Sequence, residues 1–296
     1  MKNTRNLFRG LAFLVCGLAM WGCDSESGEE MTARPLSFHF LHPAQAKVSN
    51  DAFESGDRVG LYAATAGTPL ELSGNVLNNE PLTLSGTKWT PRRPLYWDGG
   101  TYDVFAYYPY ATAPAAVDDL PFSVAADQRS AKTDTTLGGY EASDFLWGSV
   151  KGVAGSATAV TVPFKHRMSK LVVRLVKGED YDGDLPASEE VEVYIHNTVT
   201  SATIDLSVGI VTKDPHGTEQ TIRAARTGEH AYSAIIVPQR LQNARPLVEV
   251  VMKGVSYLVE KAFVFKMGVQ HTITLVIAKN PEQVKIEIGG EIENWQ

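Results

Sequence analysis

The sequence is short of the residues that carry most protein chemistry. Its 296 residues include 2 cysteines, too few for a disulfide framework or a four-cysteine zinc site. The 7 histidines are scattered, and the nearest pair, His39 and His42, has no carboxylate or third ligand at metal-binding spacing. No G-x-S-x-G elbow, H-E-x-x-H, P-loop or G-x-G-x-x-G pattern occurs. Asp180, Asp182 and Asp184 have the one-three-five spacing of a calcium loop, but Leu185 stands where glycine is needed and no glutamate closes the loop. A hairpin turn is expected there instead. Positive charge is scarce too: 27 Lys and Arg against 34 Asp and Glu give a net charge of −7 with no basic cluster. That excludes a nucleic-acid binder working by phosphate neutralisation. No apolar run reaches the ~20 residues of a membrane-spanning helix, and no amphipathic helical stretch exceeds about two turns. The sequence therefore predicts no catalytic, cofactor or metal site, and no enzyme.

What is present begins at the N-terminus. Lys2, Arg5 and Arg9 precede the apolar run from Leu11 to Trp21, which ends at Gly22-Cys23 and turns abruptly polar. This is the layout of a cleaved secretory signal, residues 1–22. It resembles a bacterial lipoprotein signal, although Met20 and Trp21 depart from the aliphatic and small residues usual there. The resemblance implies that Cys23 becomes the first mature residue and carries diacylglycerol on its sulfur. Cleavage also removes Cys16, so Cys23 would be the lone thiol, which acylation protects from an oxidising envelope. Residues 23–35 read as an acidic tether, with Asp24-Ser25-Glu26-Ser27-Gly28-Glu29-Glu30 offering nothing to bury. The stretch resembles the surface-export signal of Bacteroidetes lipoproteins, which implies a cell-surface, outer-membrane location.

From Leu36 onward the apolar residues recur at period two. Val191/Val193/Ile195, Ile204/Leu206/Val208, Leu171/Val173/Leu175, Ile273/Leu275/Ile277 and Val284/Ile286/Ile288 alternate with residues such as Glu190, Glu192, Thr272, Thr274 and Lys285. Alternation of this kind marks antiparallel sheets with one face on a core and one in water. The fold class is therefore all-β, built from sandwiches. The small, flexible stretch Lys151 to Ala157 sets a boundary between an N-terminal unit, residues 36–155, and a C-terminal unit, residues 156–296. The first is the more aromatic, with Trp89, Tyr96, Trp97, Tyr102, Phe105, Tyr107, Tyr108 and Tyr110 close together. Exposed rings of this kind stack on sugars, and buried ones fill a core; packing is the expectation. His166 is expected to be a hydrogen-bonded structural residue at a strand start.

Phe53-Glu54-Ser55-Gly56-Asp57-Arg58-Val59-Gly60-Leu61-Tyr62 resembles the F-x-x-G-D-x-I-G-x-Y opening of the fimbrillin-like family, the subunits of type V pili. The resemblance continues through Trp89, Tyr96-Trp97, Tyr107-Tyr108-Pro109-Tyr110, Asp127-Gln128 and Tyr140 to Leu146. It extends through Phe164 to Leu171, Tyr232 to Gln239, Gly268 to Leu275 and Trp295, always in the same order. It implies tandem transthyretin-like, Greek-key β-sandwiches, exported as a lipoprotein and assembled with other pilin subunits. It also implies that a trypsin-like protease removes an N-terminal strand, leaving a groove that a strand from another subunit fills. Leu36, Phe38 and Phe40, on one face of Leu36 to Leu41, suit the removable strand. Lys47 is the basic residue in the polar loop that follows, so cleavage is expected between Lys47 and Val48; Arg34 is followed by Pro35, which resists such cutting. The sequence leaves open a surface lipoprotein that binds host protein or glycan and does not polymerise.

Overall fold

The computed structural model describes residues 35–43, 52–242, 245–283, 285–287 and 293–294. Cys23, Lys47, Val48 and Trp295 lie outside the described residues. The first strands are β1 (Ser37–Leu41), β2 (Arg58–Thr65), β3 (Leu77–Ser85), β4 (Lys88–Pro91), β5 (Thr101–Tyr108) and β6 (Leu120–Ser123). A five-residue helix, α1 (Gly139–Ser143), precedes β7 (Leu146–Ala154), β8 (Ala159–Pro163), β9 (Lys165–His166) and β10 (Ser169–Lys177). Then come β11 (Glu192–Val199), β12 (Ser201–Asp205), β13 (Ile210–Lys213), β14 (Glu219–Arg223), β15 (Ala225–Gly228) and β16 (Ala231–Ile236). The last are β17 (Gln239–Leu241), β18 (Pro246–Met252), β19 (Val255–Glu260), β20 (Phe263–Phe265), β21 (Val269–Ile277), β22 (Lys285–Glu287) and β23 (Glu293–Asn294). The protein is all-β, as its periodicity predicts.

Two large sheets organise the molecule. One has the order β4-β3-β2-β5-β7-β9 and is antiparallel throughout. The other runs β15-β16-β10-β21-β22, with β23 also on β21; within it β10 and β21 are parallel. A four-stranded antiparallel sheet, β14-β11-β18-β19, faces this second sheet across the core, and β13-β12-β6, β17-β20 and β1-β8 complete the sheets among the described residues.

Burial explains why alternation is clear in some strands and absent in others. In β21, His271, Ile273, Leu275 and Ile277 are buried and the residues between them are partly exposed. In β2 and β5, by contrast, nearly every residue is buried, because both faces of that sheet are covered. One face, with Val59, Leu61, Ala63, Val104, Ala106 and Tyr108, packs with β1 and β8. The opposite face, with Tyr62, Phe105, Tyr107 and Trp147, joins a cluster that takes in β10, β11, β16, β18 and β21. That larger cluster draws residues from both sides of the stretch Lys151 to Ala157. Most of the aromatic run is thus core; Tyr96 is the exposed member.

Two sequence expectations change. Val208 does not continue the alternation of Ile204 and Leu206: β12 ends at Asp205, and Val208 is exposed in the turn before β13. That turn needs Gly209, whose φ is +68° and whose added Cβ would lie 2.4 Å from the Trp147 ring. The Asp182-Gly183-Asp184 turn is not a hairpin, because both edges of β10 are already taken by β16 and β21. The chain must leave for β11 in another sheet. Asp182 there pairs with Lys279 at 2.7 Å.

Two glutamines stand in for missing strand. Gln128 is buried; its Nε2 donates to the Ile235 carbonyl at 2.7 Å and its Oε1 accepts from the Ile235 amide at 2.8 Å. Pairing of β15 to β16 reaches only Ser233, so the side chain satisfies the edge that β15 leaves open. Gln239 does the same for Val199, accepting from its amide at 3.0 Å and donating to its carbonyl at 2.9 Å. Truncating either side chain strands a buried amide and carbonyl, and each such group costs about 1–3 kcal/mol. Gln128→Ala and Gln239→Ala should therefore each lose about 2–4 kcal/mol in urea denaturation, against less than ~0.5 kcal/mol for the exposed Lys88→Ala.

Candidate functional site

The structure buries Phe38 and Phe40 of β1, at 2% and 6% exposure, and Leu36 just before it, at 7%, while Leu41 is 52% exposed and His39 is also exposed. The period of two in five residues is enough to make this division. β1 runs parallel to β8, from Ser37 opposite Ala159 to Leu41 opposite Pro163. It belongs to a two-stranded sheet, so only one of its edges meets a described strand. Its ends are fastened by Leu36 N to Leu95 O at 2.8 Å, Ser37 N to Thr158 O at 2.9 Å and Phe164 N to Leu41 O at 2.9 Å.

An aromatic box receives the end of the strand. Phe40 meets Trp89 edge-to-face, with centroids 5.0 Å apart, and Phe164 at 5.5 Å. Phe53 closes the box, 5.1 Å from Trp89, 5.4 Å from Tyr108 and 5.8 Å from Phe164. His42, just past β1, lies edge-on to Phe53 at 4.9 Å and to His166 at 5.8 Å. His166 is buried in β9 and its Nδ1 lies 2.8 Å from Asp144 Oδ1, the structural role its position predicts. The Phe53 block is therefore a wall of the groove that β1 fills.

A cation holds this wall in place. Gly56 has φ +102°, a conformation that L side chains rarely adopt, and Asp57 Oδ2 accepts the Glu54 amide across the turn at 2.7 Å. Lys132 Nζ reaches Glu54 at 3.0 Å, Glu141 at 3.2 Å and the buried Asp57 at 3.3 Å. Burial lowers the Lys132 pKa, but bonds to Glu54 and Glu141 and the Asp57 charge outweigh it, so it lies well above the usual lysine value. Tyr108 donates to Glu141 at 2.9 Å, and burial, then the charges of Asp57 and Glu141, push its phenol far up. Both groups keep their protons throughout the physiological range. Sequence reasoning missed Lys132, whose partner Asp57 is 75 residues away; nothing local announces the pairing.

One array resembles catalytic machinery. Thr221 Oγ1 lies 3.0 Å from His196 Nδ1, His196 Nε2 lies 2.8 Å from Glu249 Oε2, and Ser256 Oγ donates to Glu249 Oε1 at 2.6 Å. The four groups come from β14, β11, β18 and β19, adjacent strands in that order. They form a lateral cross-link of the kind that stabilises sheets. The Ser256 bond, against the cost of burial and with help from His196, holds Glu249 below the usual carboxylate range. Among the described residues no group of three His, Cys, Asp or Glu could hold a metal ion.

The model of a family described as fimbrillin-like matches residues 46–295. A candidate fimbrium tip subunit, Fim1C, from Bacteroides ovatus is 28% identical over 134 residues, which is 42% of this chain and 24% of that protein. The chain thus spans about a quarter of the length of the curated relative it matches. Among solved structures, a candidate cell adhesion protein from Bacteroides ovatus has TM-score 0.68 at 18% identity, covering 89% of this chain and 98% of that one. Another from Bacteroides uniformis has TM-score 0.66 at 21% identity, covering 90% and 98%. A fimbrial protein from Bacteroides ovatus has TM-score 0.52 at 16% identity, covering 82% of this chain and 48% of that one. At these identities the structures establish a shared fold.

A strand paired along one edge opens more readily than one held on both. In hydrogen exchange, the amides of β1 should lose protection before those of β2, β5 and β10. Phe40→Ala should cost about 3–5 kcal/mol and speed exchange in β1 and β8 more than elsewhere.

Proposed function

Because the chain belongs to the fimbrillin-like family, we propose that it is a structural or adhesive pilus subunit, exported as a lipoprotein and assembled by exchange of β1 after proteolysis. Cys23 carries the lipid and anchors the precursor in the outer membrane until processing. A trypsin-like protease cuts between Lys47 and Val48, in the segment that joins β1 to the Phe53 block. The division into units 36–155 and 156–296, each a transthyretin-like sandwich, belongs to the same reading. The role is non-enzymatic, and the partners are other subunits of the pilus.

The observation that carries the reading is the mismatch between what β1 buries and how little holds it. Three side chains fill a groove lined by Trp89, Phe164, Val160 and Val162. Burying three such side chains is worth roughly 5–9 kcal/mol at ~1.5–3 kcal/mol each. Phe38 and Phe40 come from a strand of five residues, and Leu36 stands immediately before it. Once the connection to Phe53 is cut, β1 is held by noncovalent contacts alone. Any extended segment with large apolar residues at every second position can then take its place, making the same ladder with β8 and filling the same pockets.

Limited digestion of the purified precursor with a trypsin-like protease tests this. The first new N-terminus should be Val48, and electron microscopy should then show filaments that Lys47→Ala prevents. A first cut elsewhere, or filaments formed equally well by Lys47→Ala, would contradict the proposal.

A further inference from the structure

A second site lies on the opposite face of the same sheet from β1. The register of β2 against β3 shifts there: Leu61 pairs with Glu80, but Ala63 pairs with Leu77. Asn78 and Asn79 therefore bulge opposite Tyr62, and Asn79 sits at φ +45°. Bulges of this kind re-aim side chains and are frequent beside functional sites.

Beside the bulge is a cleft of about 360 Å³, lined by Tyr62, Glu80, Pro81, Arg92, Tyr110 and others. This is within the roughly 300–1,000 Å³ range of small-molecule sites. Tyr62 has no exposed surface, and its hydroxyl has no hydrogen-bond partner. Glu80 Oε1 is likewise buried without a partner. The neighbouring tyrosine, by contrast, is satisfied: Tyr107 Oη donates to Asn79 Oδ1 at 2.7 Å and accepts from the Ala111 amide at 3.3 Å. Nearly all buried polar groups in native proteins are satisfied in this way, and one left alone is costly. Two such atoms in the wall of one cleft are a built acceptor-donor pair awaiting a ligand.

The chemistry of the lining selects the ligand. Glu80 accepts; the Arg92 guanidinium, which makes no ion pair among the described residues, donates; the Tyr62 phenol does either. Burial, with Tyr110 alongside, pushes that phenol up to about 12, so it keeps its proton. Glu80 and Arg92 balance in charge, which favours a neutral ligand. A group that both donates and accepts at several neighbouring positions is a sugar ring, whose hydroxyls match a mixed set of this kind. We propose that this cleft binds one neutral sugar residue of a glycan, with Tyr62, Glu80 and Arg92 as its polar contacts. Leu72, Asn78, Arg92 and Thr112 are the exposed parts of the wall, and on this proposal side-chain movement among them uncovers Tyr62 Oη and Glu80 Oε1 as the sugar enters. The site is separate from the β1 groove and does not depend on strand exchange.

The test titrates the full mature chain with glucose, galactose, mannose, fucose and N-acetylglucosamine, and separately with glycine, by saturation-transfer NMR and calorimetry. At least one sugar should bind saturably, and Tyr62→Phe and Glu80→Gln should each weaken it about tenfold, the loss expected for one ligand hydrogen bond. Without sugar, Tyr62→Phe should melt no lower than the native protein, since it removes an unpaired hydroxyl and keeps the ring. Failure of every sugar to bind, binding of glycine instead, or sugar binding unchanged by both substitutions would overturn the proposal. So would a lower melting temperature for Tyr62→Phe, because the hydroxyl would then have a structural partner.

Discussion

Leu36, Phe38 and Phe40 close one face of a sheet whose other face is already committed. Because β2 and β5 are buried on both sides, the strands next to them cannot simply turn an unneeded surface to water. Something apolar and extended must lie along β8 against Trp89 and Phe164 for the sheet to remain dry. In the described structure that element is β1, a strand of five residues paired along one edge. The rest follows from this requirement. Phe53 completes the pocket, Asp57 shapes the turn behind it, and Lys132 ties that turn to α1 through Glu141. On the proposed function, the same requirement makes the strand replaceable, since what the sheet needs is an apolar strand rather than this particular length of chain.

Polar groups divide according to whether the fold uses them. Gln128 and Gln239 each substitute for an absent strand and leave no backbone group unpaired. His196 and Glu249 link neighbouring strands across a solvent-facing surface. Lys132 neutralises carboxylates that packing has brought together. Tyr62 and Glu80 alone among these have polar atoms for which the fold supplies nothing. That contrast with the satisfied Tyr107 of the same sheet is what the proposed sugar cleft rests on.

Sequence reading recovers the parts of the fold that one chain segment decides. The alternation in β11 and β21 is visible because each has one face in the core, and the face of β1 is visible for the same reason. It fails where distant segments decide. The uniform burial of β2 and β5 depends on layers contributed by β1 and β8 on one side and by the C-terminal strands on the other. The partner of β1 is more than a hundred residues downstream, with Ser37 bonded to Thr158, and Lys132 reaches back 78 residues to Glu54 and 75 to Asp57. Val208 misled for a local reason, since the alternation runs on past the point where Gly209 turns the chain. The candidate groove is thus half legible: its plug is written in the first strand, and its walls come from Phe53, Trp89 and Phe164, which only folding brings together.

On the proposed function, the groove binds an extended apolar strand whether or not it is covalently attached. Thermal unfolding of the chain lacking residues 1–47, with and without a synthetic peptide spanning Leu36 to Leu41, measures this directly. The melting temperature should fall on truncation and rise with peptide concentration, as binding to the folded state alone requires, with no rescue by a peptide carrying Phe38→Ser and Phe40→Ser. An unchanged melting temperature after truncation, or equal rescue by both peptides, would contradict it.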